Sequence, residues 1–179
     1  MNDGWGSRIL GGFQVSGVMS LTSGLPFYVV QGSGFNLNAG GSAQVPDQVL
    51  PTVAILGGIG QGNRYFDTTA YRVVNICVGN AQGNPTAQCP VVLPQRFGTA
   101  GRNNVRGPGF FETDLSIYRT FSISESVKFQ LRAEALNATN HANFSNPQAD
   151  INNATFGFIT STTGPNQSRQ WRFGARLSF

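Results

Sequence analysis

The sequence predicts an all-β protein, an antiparallel transmembrane β-barrel segment with long extracellular loops. Four stretches of the 179-residue chain alternate apolar and polar side chains with a period of two, as half-buried strands do. Charged residues make up 11% of the chain, against roughly 25% in ordinary globular proteins, and a lipid-facing surface would explain this deficit. One connection between the stretches is short and two are long, which is the plan of outer-membrane barrels.

The predicted strands lie at about residues 8–21, 110–121, 127–136 and 169–179. The ten-residue step from Phe111 to Phe121 corresponds to roughly 33 Å of extended chain. Tilted by about 40°, this strand covers about 25 Å, the height of the lipid-facing band in such barrels. Strands of soluble proteins average only about 5 to 6 residues. The side chains predicted to face lipid are Phe111, Leu115, Ile117, Phe121, Val127, Phe129, Leu131, Trp171 and Phe173.

The connections at about 22–109 and 137–168 are rich in Gly, Asn, Pro, Ser and Thr, which predicts long loops. Loops of this length are uncommon in a compact soluble domain. Local strands are expected inside them, near residues 26–30 and 156–160. The segment "SISES" (122–126) predicts a short hairpin turn.

Two registers are compatible with this hairpin. If Ser122 pairs with Ser126, Asp114 faces Glu134; a slide by two residues sets Asp114 opposite Arg132, which is a better charge match. Both registers keep the apolar side chains on one face. The sequence does not decide between them.

The sequence excludes a helical membrane protein, and it also bears on export and on nucleic-acid binding. No run approaches the roughly 18 apolar residues that a membrane helix needs. The start "MNDGWGSRIL" lacks the features of a signal peptide, so we expect either a cytosolic chain or a fragment with its export signal upstream. The net charge of +4 comes from scattered Lys and Arg, and no nucleic-acid partner is expected.

The pattern predicts neither an enzyme nor a cofactor or metal site. His141 is the only histidine, and no nucleophile motif surrounds it. Glu112, Asp114, Arg132 and Glu134 are interpreted as lumen-facing charges that pair across strands, rather than as a catalytic carboxylate pair.

Two further pairs of residues carry open alternatives. Cys77 and Cys89 either close a small loop in an oxidising compartment or are two isolated thiols. Arg102 and Arg106, in "AGRNNVRGPG", either hydrogen-bond loop carbonyls, the favoured interpretation, or contact an anionic ligand.

Most of the chain resembles the C-terminal part of TonB-dependent outer-membrane receptors of the Oar-like group. The stretches that carry the resemblance are "FGTAGRNNVRGPGFFETDLSIYRTFSI" (97–123), "KFQLRAEALNATNHANFSNP" (128–147), "GGFQVSGVMSLTSGLPF" (11–27) and "RYFDTTAY" (64–71). They occur in the order and spacing of that family. The resemblance implies that residues 1–179 form the last four or so strands of a barrel of about 22 strands, without the plug domain.

The same resemblance implies a function in the outer membrane of a Gram-negative bacterium. The expected role is TonB-dependent uptake or surface binding of a bulky ligand, which could be a siderophore, an oligosaccharide or a peptide. The implied partners are outer-membrane lipid, the barrel-assembly machinery, the remainder of the receptor with its plug and, through it, the TonB complex. The alternative is a soluble secreted all-β binding module.

The last strand also resembles the outer-membrane assembly signal. That pattern is a polar residue, a glycine two positions later, and hydrophobic residues at the third and fifth positions after the glycine. Arg172, Gly174, Leu177 and Phe179 fill it. The resemblance implies recognition by the barrel-assembly machinery; the alternative is an amphipathic edge strand in a soluble sandwich.

Overall fold

The computed structural model describes residues 11–32, 44–74, 87 and 96–179. Within these ranges the chain consists of strands, irregular backbone and one 3-10 turn, Thr68–Ala70. Across the same ranges, no helix has the length and the apolar character needed to cross a membrane. Cys77 and Cys89 lie outside the described residues, so their pairing stays a prediction. The strands are β1 (Phe13–Thr22), β2 (Pro26–Phe27), β3 (Asp47–Gln48), β4 (Tyr71–Arg72), β5 (Val105–Arg106), β6 (Phe110–Ser122), β7 (Lys128–Leu136) and β8 (Gln170–Ser178).

The chain divides into two compact units, and the first contains the four long strands. These form one sheet in the order β1-β6-β7-β8, and each neighbouring pair is antiparallel. β6 has 13 residues and β1 has 10, about twice the length of an ordinary strand. The predicted all-β antiparallel fold is confirmed.

The register between β6 and β7 is a third one, and neither of the two registers considered from the sequence is formed. Ser122 lies opposite Lys128 and not opposite Ser126. Glu134 therefore faces Ser116, and the side chain of Asp114 accepts a hydrogen bond from the backbone N–H of Asn137 at 2.9 Å.

The turn explains this register. Ile123 donates its backbone N–H to the carbonyl of Val127 at 2.9 Å, and Ser124 Oγ accepts the N–H of Val127 at 3.2 Å. The turn therefore begins one residue later than the Ser122–Ser126 pairing assumed. It aligns Phe121 with Phe129, whose ring centroids are 6.5 Å apart, and aromatic cross-strand pairs of this kind stabilise a sheet.

All three strand interfaces pair odd-numbered residues with odd-numbered residues. Val15 faces Ile117, which faces Ala133, which in turn faces Phe173. Because side chains alternate along a strand, odd-numbered side chains share one side of the sheet. We call this side the apolar face and the even-numbered side the polar face.

Both long connections leave the sheet from the same end. Thr22 lies opposite Phe110, and Leu136 lies opposite Gln170. The connections from β1 to β6 and from β7 to β8 therefore start at this end, which we call the loop end. The short connection between β6 and β7 defines the opposite, turn end.

The second unit comprises 24–108 and 144–161, as far as these are described, and has a core of its own. Phe66 is completely buried at its centre. The ring centroid of Phe66 lies 5.5 Å from Phe156, 5.8 Å from Phe27 and 6.2 Å from Tyr71. Strands β2 and β5 form one small sheet, and β3 and β4 form another. The long connections thus contain a packed unit and not only irregular loops.

We predict that Phe66→Ala lowers the free energy of unfolding of the second unit by about 3–5 kcal/mol, because it leaves a cavity among the aromatic rings. Phe97→Ala is the matched control, since Phe97 is exposed and its removal should change stability by about 0.5 kcal/mol or less. Pulse proteolysis in increasing urea, read at cleavage sites within the second unit, measures both. Equal destabilisation by the two substitutions would contradict the proposed core.

Candidate membrane interface

The apolar face of the four-stranded sheet is exposed although its side chains are large and hydrophobic. Phe173 is 78% exposed and Leu115 is 46% exposed. Contiguous apolar surface of this kind marks a site of protein or membrane contact. The side chains predicted to face lipid belong to this face of β6, β7 and β8, and Val127 directly precedes β7. Their contact with lipid stays a prediction.

Aromatic rings lie toward both ends of the apolar face. Trp171 begins the apolar series of β8 near the loop end, where its ring stacks on Phe173 with an interplanar angle of 8°. Phe121 and Phe129 pair near the turn end. Aromatic girdles at the two lipid–water interfaces are a feature of transmembrane barrels.

Arg119 is the one charged side chain that the four described long strands place on the apolar face. Its guanidinium carbon lies 4.5 Å from the ring centroid of Phe121 and 5.2 Å from that of Phe13. Cation–π contacts at these distances are favourable. Arg119 is not among the side chains predicted from the sequence, although its odd position within the alternating stretch was sufficient to place it on this face.

The polar face is linked by hydrogen bonds between neighbouring strands. Ser16 and Ser116 hydroxyls lie 2.8 Å apart, and Tyr118 donates its hydroxyl to Gln14 Oε1. The charges do not pair as the sequence suggested. Arg132 forms its ion pair with Glu134 of the same strand, because residues two apart share a face, and not across strands.

Two buried asparagines organise the loop end. Asn143 pairs with the backbone of Phe111 in both directions: its Oδ1 accepts the N–H at 2.8 Å and its Nδ2 donates to the carbonyl at 2.9 Å. Asn137 has a left-handed backbone (φ 47°), and its Nδ2 donates to the carbonyls of His141 at 2.9 Å and Asn166 at 3.1 Å. Asn166 in turn donates to Glu112 Oε1 at 2.7 Å.

These contacts give the candidate catalytic residues structural partners. The exposed His141 packs its ring edge-on against Phe111, with centroids 5.5 Å apart, and donates its backbone N–H to Asn137 Oδ1. Glu112 accepts from Asn166, and Asp114 accepts from the backbone of Asn137.

The geometry of the sheet agrees with a comparison against models of protein families. Residues 1–172 match the family of the outer membrane beta barrel domain. The chain belongs to this family. Membership locates the protein in the cell outer membrane, which excludes both the cytosolic and the soluble secreted alternatives. Comparisons with curated proteins and with solved structures gave no match.

In this barrel protein, the two arginines of "AGRNNVRGPG" have different surroundings. Arg106 donates to the carbonyl of Gly24 at 3.2 Å, a contact with a loop carbonyl. Glycine is required at position 24, since a Cβ there would lie 1.7 Å from the carbonyl oxygen of Gly107. Arg102 lies exposed in a turn.

The second unit of the barrel protein also carries a bidentate ion pair. Arg96 reaches both carboxylate oxygens of Asp47, at 2.5 and 2.7 Å. This hydrogen bonding, which outweighs the desolvation of the carboxyl, holds the pKa of Asp47 below its ordinary value. The pair therefore contributes stability above the ordinary pKa of an aspartate, and loses it as the pH falls through the lowered value.

The residues of the predicted assembly signal lie in or next to β8. Arg172, Gly174 and Leu177 belong to the strand, and Phe179 follows it and is almost fully exposed. A Cβ at Gly174 would meet none of the described atoms within 4 Å. Packing against the described residues therefore does not explain the glycine.

We predict that Leu115→Lys lowers the outer-membrane level of the barrel protein while Ser116→Lys is tolerated. The two positions are adjacent near the middle of β6 but lie on opposite faces. A lysine at the lipid-facing midplane costs about 2–4 kcal/mol, whereas a lysine on the lumen side remains hydrated. Immunoblots of fractionated membranes measure the level of each variant. Equal loss in both would contradict a lipid-facing role for the odd positions.

Proposed function

We propose that this chain is the C-terminal barrel portion of a TonB-dependent receptor of the Oar-like group, which takes up or binds a bulky ligand at the cell surface. The main support is the distribution of the connections. At the turn end one short hairpin joins β6 to β7, whereas both connections at the loop end contain segments of a packed unit. A barrel that only forms a pore does not need a packed unit within its connections, while a receptor uses structured loops to hold its ligand.

The chemistry of the second unit also supports ligand binding over catalysis. Arg106 is held by a loop carbonyl, and the exposed guanidinium of Arg102 remains the candidate contact for an anionic group of the ligand. The proposed role includes no enzymatic step and no resident cofactor. Uptake would require the remainder of the receptor, with its plug, and the TonB complex as the source of energy.

A pull-down experiment tests the TonB-dependent role. The protein, tagged at its chromosomal locus, is extracted from outer membranes in mild detergent and passed over the immobilised periplasmic domain of TonB from the same bacterium. We expect the tagged protein to be retained, because a receptor presents its plug segment to TonB. A porin from the same extract is the control and should flow through. Flow-through of the tagged protein together with the porin would contradict the proposal.

We further propose that Arg172, Gly174, Leu177 and Phe179 form the signal that the barrel-assembly machinery recognises. Gly174 supports this role, because a larger residue would fit among the described atoms and the glycine therefore serves another purpose. Phe179 supports it as well, since its ring is left almost entirely exposed. An exposed aromatic after an edge strand is available to a partner that pairs with that edge.

Deletion of Phe179 from the protein in its own bacterium should lower the amount in the outer membrane, because the machinery loses an aromatic contact. Phe179→Trp, which keeps a large aromatic ring, should restore it. The amount of heat-modifiable protein in outer-membrane fractions is the measurement. If deletion and Phe179→Trp leave the same amount as the parent, the assembly signal lies elsewhere.

A further inference from the structure

We propose that the apolar face carries a binding site for one anionic glycerophospholipid, with its phosphate on Arg119 and an acyl chain in the adjoining groove. The site depends on membrane insertion, which the family shows, and not on the proposed uptake of a ligand. Two features of the sheet create it: a groove at small side chains and, beside that groove, the one charged side chain that the four described long strands place on the apolar face.

The groove has a volume of about 420 Å³ and is lined mainly by residues of the apolar face. It lies where two alanines, Ala133 and Ala175, stand among larger side chains. The larger side chains that border it include Phe13, Ile117, Leu131 and Phe173. Tyr118 and Arg132 of the polar face also line it, but most of its lining is apolar, and such a groove accepts a hydrocarbon chain.

Arg119 stands at the side of this groove that is nearer the turn end. In the sheet it lies between Phe13 and Leu131, which both line the groove. Its guanidinium carbon is closer to Phe121 than to Phe13, at 4.5 Å against 5.2 Å. Phe121 lies one residue from the end of β6, so the side chain leans toward the lipid headgroups at the turn end, as long basic side chains do.

The combination of charge and groove selects the occupant. A planar guanidinium binds two phosphate oxygens at once, and its attraction is strongest for a headgroup without a compensating amine. The short turns of outer-membrane barrels lie on the periplasmic side. The lipid of the periplasmic leaflet is glycerophospholipid. The proposed occupant is therefore a glycerophospholipid with a net negative headgroup, and not the phosphorylated glycolipid of the outer leaflet.

Native mass spectrometry of the protein, purified from outer membranes and delipidated in non-ionic detergent, tests the site. The probes are dioleoylphosphatidylglycerol, dioleoylphosphatidylcholine and lipid A. We expect one phosphatidylglycerol molecule to bind in preference to the other two. Arg119→Gln should weaken this binding about tenfold, as expected for loss of a charge-assisted contact, and Arg119→Lys should weaken it less.

Two more variants separate the groove from the charge. Ala175→Leu fills the groove while Arg119 is retained, and should weaken binding roughly fourfold for each methylene displaced. Arg176→Gln removes a positive charge from the next residue, which lies on the polar face, and should leave binding unchanged. Folding of every variant is checked by heat-modifiable mobility, and Ala175→Leu carries the test if Arg119→Gln does not assemble.

The outcomes that overturn the proposal are equally specific. If Arg176→Gln weakens binding as much as Arg119→Gln, the protein attracts anionic lipid through net charge alone. If lipid A binds more tightly than phosphatidylglycerol, the occupant is wrong. Unchanged binding in both Arg119→Gln and Ala175→Leu excludes the site.

Discussion

The parity of strand pairing is the constraint on which the rest of the sheet depends. Side chains alternate along each strand, so a slip of one residue at any interface would move a whole strand's apolar set to the other face. The row from Val15 through Ile117 and Ala133 to Phe173 shows that all three interfaces agree. Both faces, the apolar and the polar, follow from this one condition. The Ser16–Ser116 and Tyr118–Gln14 contacts across β1 and β6 can form only because it holds.

A second requirement arises where the strands leave the sheet, because hydrocarbon offers no water to unpaired backbone groups. At the loop end, side-chain amides supply the hydrogen-bond partners that these backbone groups need. Asn143 supplies both a donor and an acceptor to Phe111, as a neighbouring strand would, and Asn137 takes a left-handed conformation that turns the chain while its amide is fully used. The asparagines of "RAEALNATNHANF" thus allow a long connection to depart from β7 without leaving these backbone groups unpaired.

The sequence predicted what depends on local alternation and not what depends on distant contacts. The four strands and the composition of their faces follow from period two, which is local. The hairpin register was not predicted: neither register considered from the sequence is formed. The observed turn begins one residue later than the Ser122–Ser126 pairing, and it depends on the Ser124 side chain and the alignment of Phe121 with Phe129. The aromatic core was missed because Phe27, Phe66 and Phe156 come from distant segments without a common period.

The two units are stabilised by different physics, and this difference separates their roles. The sheet has side chains exposed on both faces, so the predicted contact of the odd side with lipid would be the source of its hydrophobic stabilisation. That requirement restricts almost every odd position. The second unit has a core of its own, in which Phe66 is buried among aromatic rings. Its exposed side chains, such as Arg102, therefore do not have to be apolar. Related proteins that bind different ligands should therefore differ in sequence mainly in the second unit and little in the sheet.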